Sequence, residues 1–222
     1  MIVTIDGPAG TGKSTTARRL AERLGFEYLD TGAMYRAVAA ECLARRIDSD
    51  NEPAIAELAS SLHITFDQGC TFADGHDVTG SLRSAETTEA ASVIAQNPGV
   101  RAAMIDAQRR IAADRDIVCE GRDQGTVAFP QAECKFFLTA DPEIRARRRQ
   151  QELAEQGREV PLETLLAEQT TRDHRDANRT VAPLRAADDA VLIDTTDRDI
   201  DAVVNRLESI VRDRLAEWTD ES

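Results

Sequence analysis

The chain has 222 residues, 27 of them lysine or arginine and 40 aspartate or glutamate, for a formal net charge of −13. That length suits a single α/β domain with a sizeable core and at most one or two small inserts. Phosphate-backbone binding needs a broad basic excess, so the charge argues against a nucleic-acid surface and leaves small phosphorylated ligands open. No apolar run is long enough to cross a bilayer, and the first strand starts at once, so a cytoplasmic protein with no membrane attachment is expected. Cys42, Cys70, Cys119 and Cys134 form no C-x-x-C pair, which predicts four reduced thiols and neither a zinc site nor a disulfide framework.

In chain order, Ile2-Val3-Thr4-Ile5-Asp6 is a β-branched run that reads as a buried strand. Gly7-Pro8-Ala9-Gly10-Thr11-Gly12-Lys13-Ser14 follows and meets the P-loop pattern G-x-x-x-x-G-K-[ST] at every fixed position. Thr15 to Leu24 then carries helical spacing through Ala17, Leu20, Ala21 and Leu24. Glycines let the backbone turn its N–H groups onto phosphate oxygens, and the positive end of the next helix adds to the field. Lys13 would reach the β and γ phosphates, and the Ser14 hydroxyl is placed to coordinate a Mg²⁺ bridging them. Gly7 through Thr15 are thus the candidate ATP-binding residues. The alternative, a glycine-rich turn that binds nothing, has the strand–loop–helix context against it. Lys13 and Lys135 are the only two lysines beside twenty-five arginines, and a guanidinium is too wide to lie inside such a loop as a point charge.

Glu27-Tyr28-Leu29 reads as a second strand ending at Asp30-Thr31-Gly32, and a helix is predicted from Ala33 to about Arg46. Residues 47–95 change character: a helix over 53–62, then strands over 62–66, 70–73 and 77–79 separated by Asp67-Gln68-Gly69 and Asp74-Gly75-His76, which is hairpin punctuation. This segment is expected to be a small β-rich insert. Helical periodicity over 86–96 and 99–113 is broken at Asn97-Pro98-Gly99. Ile117-Val118-Cys119 is a buried strand running into Glu120-Gly121-Arg122-Asp123, at the carboxyl end of a strand, where α/β proteins place ligand groups. Phe136-Phe137-Leu138 is the next strand. Pro142 opens an arginine-rich helix that Gly157 stops, and another helix begins near Pro161. Val191-Leu192-Ile193 reads as the last strand and Asp199 to Trp218 as a closing amphipathic helix, with Trp218 expected to pack onto the sheet. The alternation predicts the P-loop form of the α/β class: a parallel sheet flanked by helices on both sides.

Among P-loop proteins, a GTPase would need an N-K-x-D guanine-reading sequence, which is absent. Asp77-Val78-Thr79-Gly80 matches the looser D-x-x-G only inside the hairpin-rich insert. What remains is a small kinase that holds two substrates face to face with arginines between them. Here Asp30-Thr31-Gly32-Ala33-Met34-Tyr35-Arg36, Glu120-Gly121-Arg122-Asp123-Gln124-Gly125-Thr126-Val127-Ala128-Phe129-Pro130, and the block from Arg172 to Leu184 resemble the signature blocks of the bacterial cytidylate kinase family. The likeness covers nearly the whole chain, including the insert of that family's long form.

The resemblance implies phosphoryl transfer from ATP, with Mg²⁺, to CMP or dCMP, and weaker use of UMP. It implies one P-loop kinase domain over 1–222, with a monophosphate-binding insert at 47–95 and a helical lid at 145–165, acting as a monomer. By the family's pattern Asp123 and Ser92 accept from the cytosine amino group while Arg101 donates to its N3 and O2 side. Uracil would set its O4 against the Asp123 carboxylate at a cost of about 1–3 kcal/mol. Arg36, Arg122 and Arg179 match positions that hold the acceptor phosphate, and Arg172 and Asp176 positions near the ribose. Thr31 stands where serine is also common, Glu120 where aspartate is, and Gln124 where hydrophobic residues are. The candidate catalytic cations are Lys13, Arg122, Arg148 and Arg175. Spacing alone puts residues 172, 175, 176 and 179 on one helical face, where Arg175 and Arg179 would repel by roughly 0.2–0.5 kcal/mol without an anion between them. Arg145 and Arg148 share a face of the preceding helix, and either could reach the ATP phosphates. His63, His76 and His174 are read as structural. Another small-molecule P-loop kinase, or a catalytically silent nucleotide-binding module, remains the alternative.

Overall fold

The computed structural model describes residues 1–220, and side chains up to residue 217, so the packing expected of Trp218 lies outside the described residues. Contacts divide the chain into two compact units, one made of Met1–Leu29 with the chain from Asp114 on, the other of Asp30–Ala113.

The first unit is built on five strands: β1 (Ile2–Asp6), β2 (Glu27–Asp30), β6 (Ile117–Gly121), β7 (Cys134–Thr139) and β8 (Val191–Asp194), in the order β2-β6-β1-β7-β8. Pairing is parallel, with Val3 opposite Val118 and Cys134, and Phe136 opposite Val191. A strand buried on both faces needs apolar residues throughout, which the β-branched run of β1 supplies. Helices α1 (Lys13–Leu24), α6 (Pro142–Glu155), α7 (Leu162–Asn178) and α8 (Ile200–Asp220) complete the unit. Val3, Ile5, Leu20, Phe136, Leu138 and Leu207 lie in its main core, almost fully enclosed, each contributing about 1.5–3 kcal/mol by leaving water. α1 ends where Gly25 takes φ 72° and Phe26 donates its N–H back to the Ala21 carbonyl, a Schellman stop. Ala146, Leu153 and Leu165 form a separate small core joining α6 to α7.

Because β1, β6, β7 and β8 run the same way, Asp6, Gly121, Thr139 and Asp194 end at one edge of the sheet. β1 lies between β6 and β7, so the loop after β1 emerges where the connections diverge to either side. That crevice is where open α/β sheets bind ligands.

The second unit holds α2 (Thr31–Ala44), α3 (Glu52–Ser61), an antiparallel sheet of β3 (Ile64–Asp67), β4 (Cys70–Ala73) and β5 (His76–Asp77), then α4 (Ala85–Ile94) and α5 (Pro98–Ala112). Both hairpins close through two residues of positive φ, Gln68-Gly69 at 46° and 81° and Asp74-Gly75 at 48° and 81°. These are type I′ turns, whose twist matches that of the strands. The tight second turn starts β5 at His76 rather than Asp77. Asp77 accepts the Thr79 N–H, so the D-x-x-G match is a local turn. Asn97-Pro98 opens α5: Asn97 caps the N–H groups of Gly99 and Val100, and Pro98 takes the first helical position.

Candidate active site

The loop from Gly7 to Gly12 wraps the start of α1 with a backbone that few residues could adopt. Gly7 has φ 142°, and a Cβ there would meet the Leu138 carbonyl oxygen at 2.1 Å; Gly10 has φ 78°, and its Cβ would meet that of Arg145 at 2.9 Å. No acidic residue sits in the first turn of α1, leaving its N–H groups and dipole available to an anion. Thr195, buried at the end of β8, donates its hydroxyl to the carbonyls of Thr11 and Thr139, which ties the loop to two strand ends.

Lys13 folds back over the loop and donates to the Pro8 carbonyl at 2.7 Å. Burial, then Arg122 and Arg172, push its pKa down to about 7 against the pull of Glu120 and Asp6. An amine so crowded by cations gains most from an arriving polyphosphate. Ser14 donates its hydroxyl to Glu120 at 2.6 Å. A hydroxyl beside a carboxylate is the hard-oxygen chemistry that suits Mg²⁺, so the residues fit the ion expected with the nucleotide. Among the described residues no cluster of three His, Cys, Asp or Glu could hold a metal by itself.

Beyond β6, Arg122 and Arg179 lie in ion pairs. Arg122 donates through Nε to Asp176 at 2.9 Å, and Arg179 through Nη2 to Asp123 at 3.3 Å. Arg179 also donates to the Ala182 carbonyl. Asp123 and Arg179 are both almost completely enclosed, so the carboxylate and guanidinium of this pair meet with little water between them. Burial would raise the pKa of Asp176, but Arg122 and Arg172 overcome it and hold the carboxyl below its usual 3.8. Arg122 itself is raised despite its burial, through Asp176 and Glu120.

Arg145, Arg148, Arg175 and Arg179 have different surroundings. α7 ends at Asn178 and Arg179 is its C-cap, with ψ 142°, so the helix stops at the last residue of the expected face, and Arg179 there meets Asp123. Arg175 is half-buried on α7. Arg145 donates to the Ala9 carbonyl at 3.0 Å and pairs with Asp173 at 2.7 Å, fastening α6 to the phosphate loop and α7. Arg148 is turned to the loop after β8, where it donates to the Thr195 carbonyl at 2.6 Å.

In the second unit, Thr31 is buried at the first position of α2, and Asp30 both caps that helix through the Ala33 N–H and pairs with Arg36 at 3.0 Å. Ser92 is buried on α4. Arg101 is buried on α5, with its guanidinium 5.7 Å from the Tyr35 ring and Nη1 donating to the Ala95 carbonyl. A cation held over an aromatic face is fixed in direction.

Sequence reasoning gave no role to Asp6, Asp30, Glu120, Asp173 or Thr195. Glu120 lay inside a signature block, and Asp6 directly before the phosphate loop was the available signal for a second. Gln124 is buried with its Oε1 unpartnered, and nothing in the structure explains that side chain.

A phosphate loop between strand and helix at the carboxyl edge of a parallel sheet, with buried Lys13 and half-buried Arg122 beside it, defines a P-loop kinase. The shikimate kinase of Bacteroides thetaiotaomicron shares this fold, with a TM-score of 0.51 at 14% identity over 96% of this chain and 98% of that one. The family model described as cytidylate kinase matches residues 3–213. The cytidylate kinase of Rhodopirellula baltica is 46% identical over 213 residues, covering 96% of this chain and 93% of that protein. That of Vibrio parahaemolyticus is 44% identical over 220 residues, covering 97% of each. The chain belongs to the cytidylate kinase family.

Proposed function

We propose that the protein transfers the γ-phosphoryl group of ATP to CMP and dCMP, giving CDP and dCDP, and uses UMP more weakly. The observation that carries this reading is the enclosed Asp123–Arg179 pair, in the same unit as the phosphate loop. A buried carboxylate accepts from the cytosine amino group and faces the uracil O4 as acceptor against acceptor. Ser92 is the second acceptor for that amino group, and Arg101, held by Tyr35, donates to N3 and O2. Arg36, Arg122 and Arg179 hold the acceptor phosphate, exchanging their present carboxylate partners for it. Arg172 and Asp176 lie near the ribose.

Phosphoryl transfer asks for positioning and charge neutralisation rather than covalent chemistry by the protein. The loop N–H groups and Lys13 hold the β and γ phosphates. Ser14 would hold Mg²⁺, which when bound neutralises charge on the bridging oxygens. Arg122 lies toward the acceptor phosphate, Arg175 is read as a further cation toward the transferred group, and Arg148 joins it once released from Thr195. Residues 145–165 serve as a lid that excludes water, and 47–95 as the acceptor-side insert. We read the enzyme as a cytoplasmic monomer on its resemblance to the family, and as having no nucleic-acid partner on its net charge of −13.

ADP release measured with CMP, dCMP, UMP, AMP and shikimate tests the reading. CMP and dCMP should turn over fastest. A preference for AMP or shikimate would move the protein to another acceptor class, and no release with any acceptor would make it a silent binding module.

A further inference from the structure

Asp6 ends β1 immediately before the phosphate loop, yet its carboxylate is spent on a different segment. Oδ1 accepts the Gln124 N–H at 2.9 Å and Oδ2 the Gly125 N–H at 2.8 Å, both in the interior. Gln124 and Gly125 open a single π-turn, Gln124–Ala128, closed by hydrogen bonds from Ala128 to Asp123 and from Phe129 to Gln124. Successive N–H groups of an extended chain point to opposite sides, whereas in this turn two neighbours converge and make a nest for an anion. The residue just ahead of the nest is Asp123.

The rest of the segment is braced from β1 and β7. Gly125 sits so closely on the Thr4 hydroxyl and the Lys135 methylenes that a Cβ would meet them at 3.0 and 3.3 Å. The Lys135 ammonium donates to the Pro130 carbonyl at 2.6 Å and to Asp189 at 2.8 Å. The start of the turn thus hangs on Asp6, and the chain just past its end on Lys135.

We propose that Asp6 is the positioning residue for base selection: its ionised carboxylate clamps the π-turn and thereby sets where Asp123 presents its own carboxylate. This rests on the reading that Asp123 accepts from the cytosine amino group. Both N–H groups are donors, so only a group with two acceptor oxygens satisfies them. Asparagine, or a protonated Asp6, turns a donor against one of the two N–H groups and leaves it unpaired in the interior.

The protonation state of Asp6 follows from its surroundings. Burial raises its pKa to about 6, opposed by the Gly125 and Gln124 hydrogen bonds, with Asp123 raising it further and Lys13 lowering it. Cys119 on β6 also faces it, with a thiol pushed well above 9 by burial and therefore neutral throughout this range. The residues paired with Asp6 across the sheet, Gly121 and Phe137, carry no charge. The clamp is therefore complete at pH 8 and half lost near pH 6. ATP binding, which uses the loop on the other side of Asp6, should be affected less than acceptor selection.

The experiment is kcat/KM for CMP and for UMP from pH 5.5 to 8 in the wild type, Asp6→Asn and Asp123→Ala, with thermal melting to check folding. Titration of the acceptor phosphate is common to both nucleotides and cancels in the ratio. Asp6→Asn should lower the CMP-to-UMP ratio about fivefold or more, raise KM for CMP more than KM for ATP, and lose the fall in ratio that the wild type shows toward pH 5.5. A folded Asp6→Asn with the wild-type ratio and pH profile overturns the proposal if Asp123→Ala collapses the ratio. A ratio that Asp123→Ala also leaves intact takes down the reading of Asp123 beneath it. Should Asp6→Asn fail to fold, a wild-type ratio constant from pH 8 to 5.5 overturns the proposal by itself.

Discussion

Arg145 is the side chain whose loss should be felt in two places at once. Its guanidinium donates to the Asp173 carboxylate at 2.7 Å, to the Ala9 carbonyl at 3.0 Å and to the Ala140 carbonyl at 3.2 Å, and its side chain is 6% exposed. Arg145→Met keeps most of the aliphatic contact with Gly10 and removes only the polar head. Breaking a fully buried ion pair costs about 3–5 kcal/mol. The Asp173 side chain is 24% exposed, so water recovers part of that, and about 2–3 kcal/mol is the expected share of the pair. Two carbonyls of β7–α6 and the phosphate loop then lose charged donors, adding about 1 kcal/mol. Equilibrium denaturation in urea should therefore show a loss of about 3–4 kcal/mol, and KM for ATP should rise because Ala9 is no longer anchored. The coupling to Asp173 in a double-mutant cycle with Asp173→Asn should be at least about 1 kcal/mol. A loss under about 1 kcal/mol with unchanged KM for ATP would refute the reasoning, since no arrangement of those three hydrogen bonds is so cheap to break.

Lys13→Ala should lower kcat by about a hundredfold or more with the fold retained on circular dichroism, because the interaction strengthens as charge moves onto the leaving phosphate. The amine is already held to a pKa of about 7 by burial and neighbouring arginines, so its loss should not destabilise the protein; near-normal turnover would contradict the assignment. Asp176 supplies the pH dependence of stability. Its carboxyl titrates below the unfolded value of 3.8, so its contribution is present above that pH and is lost as pH falls through the depressed folded value. Asp176→Asn should flatten the acid limb of melting temperature against pH, and an unchanged limb would mean that the Arg122 pair is not what holds it.

The readable parts of this chain were the short-range ones. Strand β1, the phosphate loop and α1 are specified by three neighbouring runs, and the hairpin turns by Gln68-Gly69 and Asp74-Gly75, so local chemistry sufficed. Helix ends were harder. Arg179 continues the i+4 spacing and α7 stops at it, but that its guanidinium meets Asp123, fifty-six positions away in sequence, is not written in that spacing. The roles of Asp6 and Glu120 were hidden for a similar reason. Each acts across the sheet, on Gln124 and Gly125 or on Ser14, and only the parallel pairing of β1 with β6 brings those partners close. Arg148 and Arg145 share a periodicity yet differ in partner, one on the β8 loop and one on the phosphate loop, which spacing on a single helix does not distinguish. The π-turn after Asp123 had no periodic signal, because a single turn of that kind is shorter than any repeat that could announce it.

The account depends on a carboxylate choosing the base, and the ratio of kcat/KM for CMP to that for UMP in Asp123→Ala measures that choice directly. Loss of the carboxylate should narrow the ratio by about tenfold or more, chiefly through the fall in CMP turnover. A ratio equal to that of the wild type would contradict the account and place cytosine recognition on other residues.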